Sequence, residues 1–537
     1  MSEYMTGAQA AIAQLVAEGV TDILSIPGEH NLFLCDAVLD YPQLRLLASR
    51  HEQGLAYMSN GYARVSHKIA VPIVISGPGV TNSLTALGDA YQDSVPMVLI
   101  AAQAPLVQLG KGAFHELKDQ SGALASIVKW HTRVESVEEI PNAIRHAFIQ
   151  AYEGRPGPTA VEIPIDIQMK KGHVDIYPSI QPPVSCPDIS QIREAAILLR
   201  NANIPMIYVG RGAVISGCAD ELQTLVEWLN LPCFNTALAK GILPENHSLN
   251  LSWGGCKYGL IREFIQKADV VLVIGSSLDD SDATRFSLQF PDKLIQIDTN
   301  HENVGRYYPV NVGLIGDAKQ VLTQLLGELT QYDKQDHLSM NNVIAHYKEQ
   351  GIKEKQTTLA WQFISAIQKA ISKETIVFGD PSWVNGWTVY FLERNLPNTF
   401  HCPRNFCGLG FSFSAALGAK LAFPNRQILS LIGDGGFLFS NAELATAVQY
   451  QLNIVTIIFN DQGYGSIKRR QIKGFGRSIG VDLPGPDFVK MAEAFGAIGV
   501  RAETPEQLYS LLKKAWEYNR PTIIEVPLDN TDPSLDV

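Results

Sequence analysis

The chain has 537 residues, of which 46% are hydrophobic, enough for about three globular domains. A formal net charge of −11 without a long basic run argues against nucleic-acid binding. The seven cysteines are scattered and form no CxxC pair, which predicts a protein without disulfides or a zinc site. The N-terminus does not resemble a signal peptide, and no apolar stretch is long enough to span a membrane. These features predict a cytoplasmic protein without membrane contact.

The first predicted domain covers residues 1–170. It begins with an amphipathic helix and continues to residues 49–54 (SRHEQG), which precede a second helix. Two apolar strands then flank residues 76–79 (SGPG), a tight turn that leads into another helix. A later loop contains residues 112–117 (GAFHEL). This order of strand, glycine turn and helix is typical of a parallel α/β unit.

Two stretches interrupt the alternation of strands and helices. Residues 170–188 are rich in proline and polar residues, and residues 331–355 are highly polar, so both are interpreted as connections. They delimit a central domain at 189–330 and a C-terminal domain at 356–537. Apolar strand signals predict that the central domain is also α/β, and they lie at residues 205–212, 269–275 and 294–298.

The C-terminal domain carries the most informative spacing in the chain. An apolar strand at 428–432 runs into residues 433–437 (GDGGF), and a helix and a second strand at 454–459 lead to Asp461. Asp434 and Asp461 are therefore expected at the carboxyl ends of two strands, where ligands bind in such sheets. Two carboxylates there suit a Mg²⁺ that also takes phosphate oxygens. A solvated aspartate in an ordinary turn is the alternative.

The first and third domains repeat one pattern of apolar strand, glycine turn, small-residue helix and apolar strand. The predicted fold class is therefore α/β, with three doubly wound parallel-sheet domains.

These motifs resemble those of thiamine-diphosphate-dependent enzymes in the acetolactate synthase and pyruvate decarboxylase superfamily, over essentially the whole chain. The resemblance implies thiamine diphosphate and Mg²⁺ as cofactors, with the metal bound by Asp434, Asp461 and the carbonyl of Gly463. The family usually has Asn where Asp461 stands. Glu52 corresponds to the glutamate that hydrogen-bonds the aminopyrimidine ring; without the resemblance it would be interpreted as a first-turn helix glutamate.

Further cofactor contacts follow from the same resemblance. Leu409 takes the place of the apolar residue that wedges between the two cofactor rings, and Cys407 supplies a carbonyl. The implied cofactor-binding residues are Gly77, Pro78, Asn82, Cys407, Leu409, Gly433, Asp434, Gly435, Gly436, Phe437, Asp461, Gly463, Tyr464, Gly465, Ser466 and Ile467.

Two positions differ from acetolactate synthases. Those enzymes show AFQE where this chain has Ala113, Phe114, His115 and Glu116, so His115 is a candidate proton donor or acceptor toward bound substrate, with a solvated loop histidine as the alternative. Gln120 is a weaker candidate of the same kind. Acetolactate synthases also commonly carry Trp where Arg470 stands, which weakens a dedicated acetolactate assignment.

The closest pattern is that of 5-guanidino-2-oxopentanoate decarboxylases, which share IPG-x-H, RHEQG and HEL-x-DQ runs with this chain. The matching runs are residues 26–30, 50–64 and 115–120. That group has GYGEIR where this chain has GYGSIK, so Ser466 removes an acid that could pair with a cationic substrate tail.

The leading hypothesis is decarboxylation of a 2-oxo acid through an enamine intermediate. Carboligation of two 2-oxo acids and a flavin-dependent oxidase are the alternatives. FAD stays open, because the central domain resembles one that binds FAD in some relatives and lacks it in others. The resemblance also implies a homodimer or homotetramer, with active sites where the first domain of one subunit faces the third domain of another.

Overall fold

A computed structural model describes residues 3–180, 182–183, 185–252, 260–332, 340–529, 532 and 535. Three parallel sheets of 6, 5 and 6 strands, one in each predicted domain, form the fold and confirm the predicted class. No helix among these described residues combines the length and the apolar character that crossing a membrane requires.

The N-terminal sheet has the strand order β3-β2-β4-β5-β7-β6, and every neighbouring pair is parallel. The strands Met97–Gln103 and Pro158–Pro164 are buried along their whole length and are mostly apolar, as expected of a sheet covered by helices on both faces. The strands of this part of the chain are β1 Glu3–Thr6, β2 Asp22–Ser25, β3 Arg45–Ala48, β4 Val71–Val74, β5 Met97–Gln103, β6 Trp130–Arg133, β7 Pro158–Pro164 and β8 Lys171–Val174. Its α-helices are Gly7–Ala17, Leu32–Ala37, Glu52–Ser66, Pro78–Gln92, Gln120–Ala125, Ile140–Tyr152 and Ile165–Met169.

Two details differ from the sequence interpretation. The N-terminal segment starts with strand β1 before its helix begins at Gly7. Strand β8 lies inside the stretch interpreted as a connection, and it pairs with β1 in antiparallel register. The two ends of the domain are therefore joined by backbone hydrogen bonds between strands that are too short to give a clear periodic signal.

The central sheet has the order β10-β9-β11-β12-β13 and is also parallel. Its strands are β9 Pro205–Val209, β10 Cys233–Asn235, β11 Val270–Ile274, β12 Leu294–Asp298 and β13 Val312–Ile315. Its α-helices are Ile189–Arg200, Arg211–Ser216, Ala219–Leu229, Leu260–Lys267 and Ala318–Leu329. A further helix, Asn341–Lys355, occupies part of the second predicted connection.

The C-terminal sheet has the order β15-β14-β16-β17-β19-β18. Its strands are β14 Ile376–Gly379, β15 Phe400–His401, β16 Ile428–Gly433, β17 Val455–Asn460, β18 Ile498–Arg501 and β19 Thr522–Pro527. Its α-helices are Leu359–Ala370, Trp383–Phe391, Phe411–Ala422, Asp434–Leu438, Glu443–Gln449, Gly465–Phe475, Phe488–Ala494 and Pro505–Ala515.

The N- and C-terminal domains pack through two crossing helices, Glu52–Ser66 and Phe411–Ala422. Glycine allows this close approach, because a Cβ at Gly61 would overlap the carbonyl of Ala415. A Cβ at Gly418 would likewise overlap the backbone of the first helix. The crossing brings the amino end of the Glu52 helix next to the C-terminal domain.

Candidate active site

The two aspartates predicted to bind metal lie at the carboxyl ends of neighbouring strands. Strands β16 and β17 are parallel, with Gly433 opposite Phe459, and Asp434 and Asp461 follow at their ends. The backbone N–H of Gly463 donates to Asp434 Oδ2 over 2.9 Å. A side chain at Gly465 would overlap the Asp461 carboxylate, so the close approach of this loop requires glycine.

The electrostatics of this pair favour a cation. Burial, followed by the charge of Asp434, raises the pKa of Asp461 to about 7. Burial also raises the pKa of Asp434. Two carboxylates that share a buried site must bind a proton or a positive ion. Two carboxylates beside the backbone of Gly463 form a donor set that suits Mg²⁺, whose remaining ligands would come from phosphate oxygens and water.

The glycines of the turn after Gly433 allow neighbouring side chains to pack closely against its backbone. Gly435 lies against the ring of Tyr464, where a Cβ would come within 2.8 Å of the ring carbon Cε1. Gly436 faces the buried carboxylate of Asp380. Phe437 is fully buried and packs against Phe413 at 5.1 Å between ring centroids. Its side chain therefore belongs to the core, and only its backbone can face a cofactor.

The turn that carries Cys407 and Leu409 is held in a strained conformation. Cys407 has φ 61°, a left-handed value that is costly for a residue with a Cβ. Its N–H and that of Gly408 donate to the carboxylate of Asp89, over 2.9 and 3.2 Å. Tyr57 donates to the same carboxylate over 2.6 Å. A helix residue of the N-terminal domain thus fixes the direction of the Cys407 carbonyl.

A second buried acid supports the same turn. Asp380, directly after strand β14, accepts hydrogen bonds from the N–H groups of Gly410 and Ser412 over 3.2 and 2.8 Å. Burial raises its pKa to about 7. The sequence interpretation missed both Asp89 and Asp380. For Asp380 a signal existed, since it is an acid at the end of an apolar strand; for Asp89, inside a helix, there was none.

Glu52 is the first residue of its helix and is largely buried, with 9% of its surface exposed. Its carboxylate accepts a hydrogen bond from Asn82 Nδ2 over 2.9 Å. The neighbouring Gln53 donates to the carbonyl of Leu409 over 3.1 Å. The Glu443 carboxylate accepts a hydrogen bond from the N–H of His51 over 2.9 Å. Because Glu443 belongs to the C-terminal domain, this bond holds the start of the Glu52 helix against that domain. Glu52 and the Leu409 turn are therefore neighbours within one chain.

The SGPG turn is held by Gln120. Gly77, at φ 57°, donates its N–H to Gln120 Oε1 over 2.9 Å, and Pro78 starts the next helix. The Gln120 side-chain amide donates to the carbonyl of Ala102 and to the buried carboxylate of Glu162, over 3.1 and 2.9 Å. Gln120 is thus buried and fully engaged, which fits a residue that positions the turn better than one that touches substrate.

His115 lies over the same turn. Its backbone has φ 56°, and a Cβ at Gly77 would overlap its carbonyl. Its ring meets that of His30 edge to face, at 5.6 Å between centroids. His30 Nδ1 is 2.5 Å from the hydroxyl of buried Ser76. Burial, and then the charge of His115, lowers the pKa of His30, while Glu29 raises it. His30 belongs to the IPG-x-H run, but no pattern in the sequence assigns its side chain to the site.

The loop after the metal residues becomes the helix Gly465–Phe475. Ser466 stands in its first turn and Ile467 is 44% exposed. The ammonium of Lys468 pairs with Asp482 at 2.6 Å. The guanidinium of Arg469 lies over the Trp383 ring, 3.8 Å from its centroid. Its basic residues are Lys468, Arg469, Arg470 and Lys473, and the helix contains no acidic residue.

The central domain has its own cleft, of about 420 Å³, which extends to the ends of two N-terminal helices. It lies where the strand order changes direction, between β9 and β11, and Arg211, Gly275 and Asp298 line it. Such switch points bind ligands in open α/β sheets. The Nε atom of Arg211 is buried and has no hydrogen-bond partner among the described residues. That donor is complementary to an anionic group, and the cleft is also lined by Asp93, Asp279, Asp282, Asp298 and Asp317.

Comparison with known proteins agrees with this geometry. Three family models match: the thiamine pyrophosphate enzyme N-terminal TPP-binding domain at residues 5–123, its central domain at 192–325 and its C-terminal TPP-binding domain at 381–526.

Similar proteins along the full chain carry two kinds of name. A probable acetolactate synthase large subunit of Methanocaldococcus jannaschii is 32% identical over 98% of this chain and 92% of its own. An acetolactate synthase large subunit of Corynebacterium glutamicum is 32% identical, over 97% and 87%. A probable 2-ketoarginine decarboxylase of Pseudomonas aeruginosa is also 32% identical, over 97% and 94%. Overall identity therefore does not choose between the two reactions.

Proposed function

The chain belongs to the thiamine pyrophosphate enzymes that act on 2-oxo acids, and from that premise we propose that it decarboxylates a 2-oxo acid and releases an aldehyde. The observation that carries the choice is the pair of imidazoles, His30 and His115, at the SGPG turn. In this proposal the metal is Mg²⁺ at Asp434, Asp461 and Gly463.

Release of an aldehyde requires a proton on the carbon that loses CO₂. Joining two 2-oxo acids requires the same carbon to stay unprotonated until the second molecule arrives. A histidine can hold and deliver a proton near neutral pH, which an amide cannot do. His115 stands where acetolactate synthases carry Gln, and His30 supports it through ring contact. These residues favour protonation, and hence decarboxylation.

The remaining residues have positioning roles in this proposal. Bound thiamine diphosphate supplies the carbanion-stabilising centre. Glu52 would hold a proton against the aminopyrimidine ring, with Asn82 fixing its carboxylate. The Cys407 carbonyl, set by Asp89, would accept from the amino group of that ring. Leu409 would keep the two rings of the cofactor bent.

The substrate tail is best uncharged or anionic. The helix Gly465–Phe475 carries only basic charges, and Ser466 stands where guanidino-acid decarboxylases have an acid. A cationic guanidino tail would therefore meet repulsion and no partner on this helix. 5-Guanidino-2-oxopentanoate remains the natural comparison, because a 2-ketoarginine decarboxylase is among the similar proteins.

Two alternatives have support of their own. The acetolactate synthases among the similar proteins favour carboligation. The cleft at Arg211 and Asp298 favours a flavin, and with it an oxidase. Purified protein with visible flavin absorbance and peroxide formation on turnover would favour the oxidase over the decarboxylase.

The proposal is tested by product analysis with a panel of 2-oxo acids that includes pyruvate, 2-oxoglutarate and 5-guanidino-2-oxopentanoate. We expect CO₂ and aldehyde in equal amounts. His115→Gln should lower aldehyde release by about 100-fold, the usual contribution of one proton-transferring group. The exposed His301→Gln is the matched control and should keep full activity. A coupled product in excess of aldehyde from the wild-type enzyme would overturn the proposal.

A further inference from the structure

A second large cavity lies at the amino ends of the C-terminal strands, at the opposite edge of that sheet from the metal residues. It has a volume of about 720 Å³ and is bounded by the loops that enter strands β16, β17 and β19, and by the start of strand β3. These are the amino ends of the parallel strands, whereas Asp434 and Asp461 lie at the carboxyl ends. The cavity is within the size range of small-molecule sites, roughly 300–1,000 Å³.

The lining of this cavity is positively charged. Arg45, Lys420, Arg426 and Arg520 line it, and none of the described lining residues is acidic. This is unexpected in a chain with a net charge of −11, because acids outnumber bases overall. Four cations around one cavity repel each other, and an anion bound among them would remove that cost.

The contacts that these basic side chains make within the protein leave hydrogen-bond donors for a ligand. Arg45 pairs with Asp22 at 2.5 Å, at the edge of the cavity. The Lys420 ammonium donates to the carbonyl of Arg426 over 2.9 Å, and burial lowers its pKa. Arg520 is exposed, and the ion pairs found among the described residues do not include it. A phosphate beside Lys420 and Arg520 would gain charge-assisted hydrogen bonds from both.

The cavity wall is connected to the Glu52 helix. Tyr450 lines the cavity, and its hydroxyl oxygen accepts from the N–H of Ala48 over 2.8 Å. The helix Glu443–Gln449 ends directly before Tyr450 and contacts the same segment: Gln449 Oε1 accepts from the Arg50 guanidinium over 2.6 Å. At its other end Glu443 accepts from the N–H groups of Arg50 and His51. A ligand that moves Tyr450 would therefore displace residues 48–51, which lead into Glu52.

We propose that this cavity binds a small, multiply charged phosphate ester of nucleotide size, and that its occupancy is transmitted through Tyr450 and Ala48 to the start of the Glu52 helix. The site is separate from the cleft of the central domain and from the expected diphosphate site. Its binding is independent of which 2-oxo acid the enzyme uses.

Binding is tested by calorimetry on full-length protein saturated with thiamine diphosphate and Mg²⁺, so that the diphosphate site is filled. AMP is the probe, adenosine the neutral control and inorganic phosphate the second anion. We expect saturable 1:1 binding of AMP per chain and none of adenosine. Binding of inorganic phosphate as tight as that of AMP would overturn the assignment to an ester.

Arg520→Glu should weaken AMP binding by at least about tenfold, because it replaces one charge-assisted hydrogen bond with repulsion. Arg306→Glu, an exposed arginine of the central domain, is the matched control and should bind as wild type. AMP binding that is unchanged in Arg520→Glu would locate the ligand elsewhere, and the proposal would fail.

The connection to Glu52 is tested by hydrogen exchange, which needs no knowledge of the substrate. In the wild type, AMP should change the exchange of amides in residues 45–56. Tyr450→Phe keeps the ring but loses the hydroxyl that accepts from Ala48, so it should bind AMP with little change in affinity and lose the exchange response. An identical response in both proteins, or none in the wild type at saturating AMP, would contradict the transmission.

Discussion

Asp461 is a carboxyl where the family resemblance leads us to expect an amide, and its neighbour is the buried Asp434. Burial, and then the Asp434 charge, raises the pKa of Asp461 to about 7, while burial raises the pKa of Asp434. Below that pH a proton occupies the pair, and a cation must displace it to bind. Metal affinity should therefore fall as the pH drops through about 7 and rise above it.

Asp461→Asn should move this pH dependence toward lower pH, because an amide cannot bind the competing proton and the like charge beside Asp434 is gone. The measurement is Mg²⁺ titration of cofactor retention at about pH 6 and about pH 8. The exposed Asp220→Asn is the control and should behave as wild type. Equal pH profiles for the wild type and Asp461→Asn would show that the carboxyl does not titrate with metal binding.

Glu52→Gln should fold normally, because the amide oxygen can still accept the hydrogen bond from Asn82. It should lower activity by at least about 100-fold, because an amide cannot exchange a proton. The direct measurement is the rate of proton exchange on the bound cofactor. Wild-type exchange in the variant would remove Glu52 from its proposed role.

At the scale of elements, two crossing helices set the distance between the N- and C-terminal domains. The helices Glu52–Ser66 and Phe411–Ala422 approach so closely that Gly61 and Gly418 each face backbone of the other helix. The same crossing places Gln53 on the Leu409 carbonyl. Packing in the middle of the helices therefore fixes the geometry at their amino ends, where the candidate site lies.

Gly61→Ala should destabilise the protein by about 1–3 kcal/mol, because the added methyl group overlaps the Ala415 carbonyl. Gly327→Ala, in the helix Ala318–Leu329 with nothing within 4 Å of the added Cβ, is the matched control. It should instead stabilise by about 0.5–1 kcal/mol, through helix propensity. Urea unfolding midpoints of both variants make the comparison, and equal shifts would contradict the packing argument.

At the scale of the whole molecule, the subunit arrangement stays a prediction. Within one chain the Glu52 helix already contacts the Leu409 turn through Gln53 and Glu443 through His51. The family resemblance instead implies that Glu52 of one subunit completes the site of another. If each site lies within one chain, the same chain must carry both an intact Glu52 and an intact Asp434. If the sites are shared, one chain can supply Glu52 and the other Asp434.

Mixing inactive Glu52→Gln with inactive Asp434→Ala chains should restore part of the activity after subunit exchange. In a dimer with shared sites, one site of the mixed pair carries both changes and the other carries neither. Sedimentation verifies the oligomer, and exchange is verified with differently tagged chains. No recovery despite verified exchange would place each site within one chain.

The sequence by itself determined the three parallel-sheet domains and the ends of the strands that carry Asp434 and Asp461. Those features are local: apolar runs, glycine turns and their spacing follow from the chain alone. Strand β16 was expected at 428–432 and is found at Ile428–Gly433. The short strands β1 and β8 were not foreseen, because each gains its stability only from pairing with the other.

Only the tertiary structure decided which side chains support the site. Asp89 binds the Cys407 turn from a helix more than three hundred residues away in sequence. The Gln120 side-chain amide donates a hydrogen bond to the Glu162 carboxylate, and the His30 ring contacts the His115 ring beside the SGPG turn. These contacts join segments that are distant in the chain, and no local pattern encodes them. These contacts depend on how the sheets and helices pack. The sequence therefore predicts candidate site residues, whereas their partners are known only from the tertiary structure.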